Sequence, residues 1–376
     1  MNVNNKRNTS LFFSLNIILM LILFASCSDQ YTEIVDNQTL LKETKIALGE
    51  KLFFENKMSN PEGQSCASCH SPESGFSDPI HLPFSPGVSG NLFGNRNTPS
   101  IAYNVFAPER YYNNIDETFI GGLFMDGRSQ NLETQAIEPL LSIAEMNNTS
   151  IAMVASKIIN LEYYNQFVKI YGETNSDATL VNQFTNAISF YEKSTKMNSF
   201  TSKFDYFSKQ QISLTNDELK GLALYKGKAN CAACHPLEAD EISGKILFTD
   251  FSYDNIGVPK NLNNPFYSMS ASINPDGANY IDYGIGAIVN MPEHNGKFKV
   301  PTLRNVAVSA PYFHNGFYNT LSQVIHFYNK RKVENLGVPE VPENVNTSEL
   351  GDLKMTLQEE LQLEKFLGTL TDHYKK

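Results

Sequence analysis

The chain has 376 residues, 41% of them hydrophobic, and 30 basic against 40 acidic side chains leave a net charge of −10. That length and apolar content support two or three domains with real cores. The acidic balance argues against a nucleic-acid binder and against a basic membrane-binding face.

In chain order, the first signal is Lys6 and Arg7 ahead of an apolar run from Leu11 to Phe24, closed by Ala25-Ser26-Cys27. The run is too short to span a bilayer comfortably and reads as a signal peptide over residues 1–26. With a cysteine directly after the small residues, it resembles a bacterial lipoprotein signal, although Phe24 departs mildly from that pattern. The resemblance implies cleavage before Cys27 and lipidation of its thiol; an ordinary secretory signal with an incidental cysteine is the alternative. No later segment has the length of a transmembrane helix. The expected location is therefore the cell envelope or periplasm, with contact to the membrane only through the lipid.

Residues 27–41 read as a polar tether. From Lys42 to Phe54, the apolar positions Ile46, Leu48, Leu52 and Phe53 predict a short amphipathic helix. It leads to Cys66-Ala67-Ser68-Cys69-His70, and the same pattern returns at Cys231-Ala232-Ala233-Cys234-His235. C-x-x-C-H is the attachment signature of a c-type haem. Two thiols add across the two vinyl groups, and the adjacent imidazole becomes the proximal ligand of the iron. In a helical turn these three side chains share one face, which suits a flat macrocycle. Zinc sites also open with C-x-x-C, but they close with four ligands, and a dithiol redox motif does not explain two copies. Gly49-x-x-Leu52-Phe53 before the first motif echoes Gly221-x-x-Leu224-Tyr225 before the second, a weak repeat of two units.

Residues 72–99 are rich in Gly, Pro, Ser and Asn and predict loop. Residues 151–171 and 178–197 have helical periodicity, and 198–211 reads as the interdomain connection. Thr215 and Glu218 form a capping box ahead of the next helix. Residues 242–296 are again loop-rich. Leu321, Val324, Ile325 and Tyr328 mark one helix face, and 350–374 is the last predicted helix. The fold class expected is mainly α, as two cytochrome c-like domains over 42–205 and 206–376. Each carries one covalently bound c-type haem, with long loops around it.

Several ordered stretches resemble the bacterial di-haem cytochrome c peroxidase family, which includes relatives that oxidise a protein partner to build a quinone cofactor. They are Arg96-Asn97-Thr98-Pro99-Ser100, Asp126-Gly127-Arg128, Ala144-Glu145-Met146, Ser202-Lys203-Phe204-Asp205, Phe298 to Val306, Ala310 to Gly316, and Phe327-Tyr328-Asn329. The resemblance implies that the first haem is the peroxide site, with Glu145 as distal acid–base residue and Gln135 beside it to orient peroxide. It implies a second haem that passes electrons or stores oxidising equivalents. The helix position where the family commonly places a distal Met holds Tyr328, as in the quinone-building relatives, with Met291 and Met269 as fallback ligands. His81 lies too far upstream of Arg96 to match the loop ligand of members that need reductive activation. Met125 replaces the family's bridging Trp, in a chain with no Trp at all. The resemblance also implies a calcium ion between the domains, at Asn97, Ser309 and Pro311, and places His314 between the domains.

The expected function is a cytochrome c peroxidase that reduces H2O2 to water at the haem of Cys66, Cys69 and His70. Electrons arrive from a small redox protein, of cytochrome c or cupredoxin type, through the haem of Cys231, Cys234 and His235. A homodimer is among the expected assemblies. The alternatives are oxidation of a protein or small molecule through a high-valent iron state, or non-enzymatic electron carriage.

Overall fold

The computed structural model describes residues 37–241 and 243–376. The signal segment and Cys27 lie outside the described residues. Helices dominate and strands are few, as expected: α1 (37–53), α2 (Cys66–Cys69), α3 (Leu132–Gln135), α4 (Ile137–Leu141), α5 (Ile151–Ile159), α6 (Tyr164–Tyr171), α7 (Asp177–Glu192), α8 (Lys203–Ser208), α9 (Asn216–Lys226), α10 (Ile285–Val289), α11 (Leu321–Lys330) and α12 (Leu357–Gly368). Two antiparallel strand pairs complete the set. Strands β1 (Tyr111–Asn113) and β2 (Thr118–Ile120) form a hairpin, and β3 (Tyr253–Asp254) pairs with β4 (Phe298–Lys299). No helix among the described residues is long and apolar enough to cross a membrane.

The helix ends obey local chemistry. Thr215 caps α9 and receives Glu218 in return, the reciprocal box read from the sequence. Thr320 with Gln323 and Thr356 with Glu359 start α11 and α12 in the same way. Several boundaries differ from expectation. Residues 37–41 continue α1 instead of forming tether, since no Gly or Pro interrupts the chain before Gly49. The helix expected over 151–171 breaks at Asn160, where the chain turns to bury both Leu161 and Phe167. The segment 198–211 contains α8, capped by Ser202, rather than plain connection. The last helix begins only at Thr356, where its cap is, and stops after Gly368.

Two apolar cores form. The first gathers Leu48, Leu52 and Phe53 of α1, Val154 and Ile158 of α5, and Val181, Phe184 and Ile188 of α7. The second gathers Tyr225 of α9, Leu321 and Ile325 of α11, and Leu363 and Phe366 of α12. The glycine repeat now has a physical cause. A Cβ on Gly49 would stand 1.9 Å from the Ala187 carbonyl oxygen of α7, and one on Gly221 would stand 2.0 Å from that of Gln362 on α12. Each half therefore packs its leading helix backbone-to-backbone on a partner helix, and only glycine permits that approach. Gly221→Ala is expected to cost about 1–3 kcal/mol by overpacking, read as a lower urea midpoint with an unchanged m-value.

Cys66 packs on the first core and Cys231 on the second. The change of core falls between Phe200, which packs with the first, and Phe204, which belongs to the second.

Candidate functional site

The two C-x-x-C-H motifs are built alike. Cys66–Cys69 is one α-helical turn, and Cys231–Ala233 is a tighter 3-10 turn. In each, the histidine N–H closes the turn on the first cysteine's carbonyl at 2.9 Å. All four motif cysteines are free thiols, pushed up to about 12 by burial. His70 Nδ1 meets the Phe76 carbonyl at 3.1 Å, and His235 Nδ1 meets that of Phe248 at 2.8 Å. Those contacts orient each ring and fix its tautomer, which leaves Nε2 free for a metal. Burial pushes both imidazoles below their usual value and keeps them neutral, the form that ligates. The residues present therefore fit two covalently held haems.

Phe76 and Phe248 expose a repeat that the sequence reading missed. Phe76-Ser77-Asp78 matches Phe248-Thr249-Asp250, and Pro99-Ser100-Ile101 matches Pro301-Thr302-Leu303. Both phenylalanines have positive φ, and their carbonyls accept from Ile101 and Leu303 respectively. The recurrence F-[ST]-D followed by P-[ST]-[IL] was legible, but its role appears only once the carbonyls face the imidazoles.

A cavity of about 310 Å³ brings together Cys231, Cys234, His235 and Tyr328. Tyr328 is thus placed with the second motif, whereas Met291 and Met269 do not line this cavity. Burial, then the nearby thiols and Asp254, hold the Tyr328 phenol strongly in its protonated form. Arg331 acts in the opposite direction.

At the first motif, Glu145 follows α4 through a turn in which its N–H meets the Ser142 carbonyl at 3.1 Å. Its own carbonyl accepts from Val88 at 2.9 Å. The residue is exposed at the surface, yet the protein packed around its carboxyl raises it above the ordinary value by desolvation, against the Ser142 hydrogen bond and the Arg128 charge. Its charge is felt at the thiols of Cys66 and Cys69, so the structure brings Glu145 to the first motif. Gln135 ends α3, half-buried, and its amide has no hydrogen bond among the described residues. His81 is exposed and bonds the Ala310 carbonyl through Nδ1 at 2.9 Å.

Between the halves, Asn97, Ser309 and Pro311 line the same cavity as the second motif. The Asn97 amide donates to the Pro311 carbonyl at 2.7 Å, and its Oδ1 is buried with no partner. Such an orphaned oxygen suits a hard cation, and the Pro311 carbonyl, taken here by the amide N–H, joins it if the amide turns over. His314 lies buried there, stacked on Phe298 with ring centres 3.8 Å apart. Its Nε2 points at Glu340 from 3.6 Å. Met125 lines the cavity too, and its carbonyl accepts from Lys299 of β4 at 2.8 Å. Arg96 locks this region by pairing with Asp126 at 2.6 Å and with both oxygens of Asp282 at 2.7 and 2.8 Å. Burial works against the Asp282 charge, but Arg96 outweighs it and holds the carboxyl at about 2. Asp282 had no sequence signal, because its partner lies 186 residues away.

The sequence model of a family described as di-haem cytochrome c peroxidase matches residues 43–213. The methylamine utilization protein MauG of Paracoccus denitrificans is 33% identical, over 87% of this chain and 88% of that protein. Cytochrome-c peroxidase IdrP1 of a Pseudomonas species (strain SCT) is 28% identical over 87% of this chain and 81% of its own length. The crystal structure of the diheme peroxidase BthA from Burkholderia thailandensis superposes with a TM-score of 0.77 at 30% identity, covering 88% of this chain and 86% of that one. The chain belongs to the di-haem cytochrome c peroxidase family, whose members include both peroxidases and MauG.

Proposed function

We propose that this protein reduces H2O2 to water at a haem held by Cys66, Cys69 and His70. Electrons reach it through a second haem held by Cys231, Cys234 and His235. The two haems divide the chain into cytochrome c-like units over 42–205 and 206–376. The observation that carries this reading is the asymmetry between the two matched motifs: a raised carboxyl, Glu145, beside the first, and a phenol, Tyr328, beside the second. An electron carrier has no use for an acid–base group at one iron alone.

The haem iron supplies the site at which peroxide binds and accepts electrons. The chain supplies the proton handling. Reducing one peroxide consumes two electrons and two protons and yields two waters. Glu145 takes the proton of the inner peroxide oxygen on its carboxylate and returns it to the outer oxygen, which leaves as water. Gln135 donates its amide N–H to hold the peroxide in line for that transfer. Asn97 Oδ1, with the carbonyls of Ser309 and Pro311, holds a calcium ion that ties the halves together. The leader over 1–26 exports the chain and Cys27 anchors it through lipid, so that a small redox protein donates electrons in the cell envelope.

The test is an optical and EPR record of the oxidised holoprotein before and after one equivalent of H2O2. An immediate change at a high-spin first haem supports the reading. Two low-spin haems that ignore peroxide, even after one-electron reduction, would falsify it in favour of an electron carrier.

Tyr328 and Met125 favour a second reading, oxidation of a protein or organic substrate. Tyr328 is protonated by its surroundings alone, and coordination to a ferric iron would displace that proton; the resulting phenolate is a hard anionic donor that favours ferric iron and lowers the potential relative to a thioether. Tyr328→Met is expected to raise the second haem's potential by on the order of 0.1 V, within the roughly 0.8 V that axial ligands span. Redox titration followed in the visible bands reads this, and an unchanged potential removes Tyr328 from the iron.

A further inference from the structure

Among the described residues, two tyrosines donate to a carboxylate. Tyr163 reaches Glu55 at 3.0 Å from a half-buried position, and Tyr103 reaches Asp372 Oδ2 at 2.6 Å from within the core, where it is 1% exposed. Tyr225, Tyr253 and Tyr312 donate instead to backbone carbonyls, which are too weakly basic to take a proton.

The place of Tyr103 is as informative as its partner. On one side, the Phe76 carbonyl that orients His70 also accepts from Ile101 at 3.1 Å, two residues before Tyr103. On the other side, Asp372 accepts from Asn305 Nδ2 at 3.0 Å, two residues after Leu303. The Leu303 N–H donates to the Phe248 carbonyl at 3.3 Å, and that carbonyl orients His235. Tyr103 and Asn305 are equivalent positions of the internal repeat, both with positive φ. One path of hydrogen bonds and short covalent segments (Ile101 to Tyr103, and Asn305 to Leu303) thus runs from proximal imidazole to proximal imidazole, and near its midpoint is a phenol with a base attached. The Arg304 guanidinium lies 5.1 Å from the ring, its charge balanced by the bidentate pair with Asp205.

We propose that Tyr103 is a redox-active tyrosine linking the two haem centres, with Asp372 as its proton acceptor. The proposal rests on the peroxide reading above and adds an electron relay to it. H2O2 is the oxidant. Tyr103 gives one electron to the haem pair that peroxide has oxidised. Its O–H bond breaks, and the proton forms a new O–H bond on Asp372 Oδ2. A neutral tyrosyl radical and a neutral aspartic acid remain. One electron from the donor, with return of the proton, restores both. Because the acceptor is built in, the buried ring never carries a net positive charge. A thioether, Met125, stands on the cavity wall between the halves and is a poorer relay than a phenol.

The test uses the full-length holoprotein, mixed with one equivalent of H2O2 and freeze-quenched for EPR, with optical spectra taken in parallel. The expected result is a tyrosyl radical whose hyperfine pattern collapses when the protein is grown on ring-deuterated tyrosine. Tyr103→Phe abolishes it, with both haems still attached and still responding to peroxide. The phenyl ring keeps its packing, and Asp372 keeps the Thr201 and Asn305 donors. Asp372→Asn retains a hydrogen-bond acceptor but no base, and lowers the radical yield at least tenfold. A radical of full yield in Tyr103→Phe overturns the proposal. So does a haem response in the wild type with no tyrosyl radical, which leaves the peroxidase reading intact. Haems that do not respond to peroxide at all overturn both.

Discussion

Glu145→Gln is expected to lower kcat for H2O2 reduction by about 10²–10⁴-fold, the usual worth of a positioned acid–base group. The amide keeps the size of the side chain and its backbone anchors, the Ser142 carbonyl and the Val88 N–H. It cannot carry a proton between the peroxide oxygens. The loss should therefore appear in turnover, with haem content and thermal stability near wild type. The pH profile offers a second check with a definite sign. Glu145 must be ionised to accept the first proton, and burial raises its carboxyl above the ordinary value. The wild-type rate should thus rise with pH through an acidic limb lying above the roughly 4.3 of a free glutamate, then level off. The variant should lack that limb. Wild-type turnover in Glu145→Gln would remove this residue from the chemistry.

Arg304→Met is expected to cost about 3–5 kcal/mol of stability, the cost of breaking a buried ion pair. Arg304 is 1% exposed and pairs with both oxygens of Asp205 at 2.9 and 3.0 Å. Its Nε donates to the Ile246 carbonyl, and its guanidinium lies 4.4 Å from the Phe200 ring. Methionine fills much of the volume but strands the Asp205 carboxylate in the interior. Burial pushes that carboxyl up, yet the hydrogen bonds and charge of Arg304 pull it below its ordinary value. The pair's contribution is therefore complete above the unfolded value of about 3.9 and is lost as pH falls through the depressed folded value. In chemical denaturation, wild type should show this acid limb and Arg304→Met should not. Adding Asp205→Leu to the variant should recover part of the loss, since an apolar pair leaves no buried charge unpaired.

How much of this was legible in the chain depends on the range of each interaction. The C-x-x-C-H motifs, the Thr215–Glu218 capping box of α9 and the apolar stripe of α11 were readable because their partners lie within one or two helical turns. The mainly helical class followed from those same periodicities. Gly49 and Gly221 were visible as a repeat but unexplained, because the carbonyls they avoid belong to α7 and α12, far along the chain. Other contacts had no local signature at all. Asp282 on Arg96, Asp372 on Tyr103 and the Phe76 and Phe248 carbonyls on the imidazoles are such cases. Residues 37–41 looked like tether because polarity alone was read, although nothing in their covalent structure stops a helix. The sequence by itself determined which atoms can bind haem, since C-x-x-C-H is a property of residue type at short spacing, whereas Glu145, Gln135 and Tyr328 were named only through the resemblance. Only the tertiary structure decided that Glu145 comes near the first motif and Tyr328 near the second, and how the two proximal histidines are joined. Those are meetings of segments tens to hundreds of residues apart, set by the packing of two cores against each other.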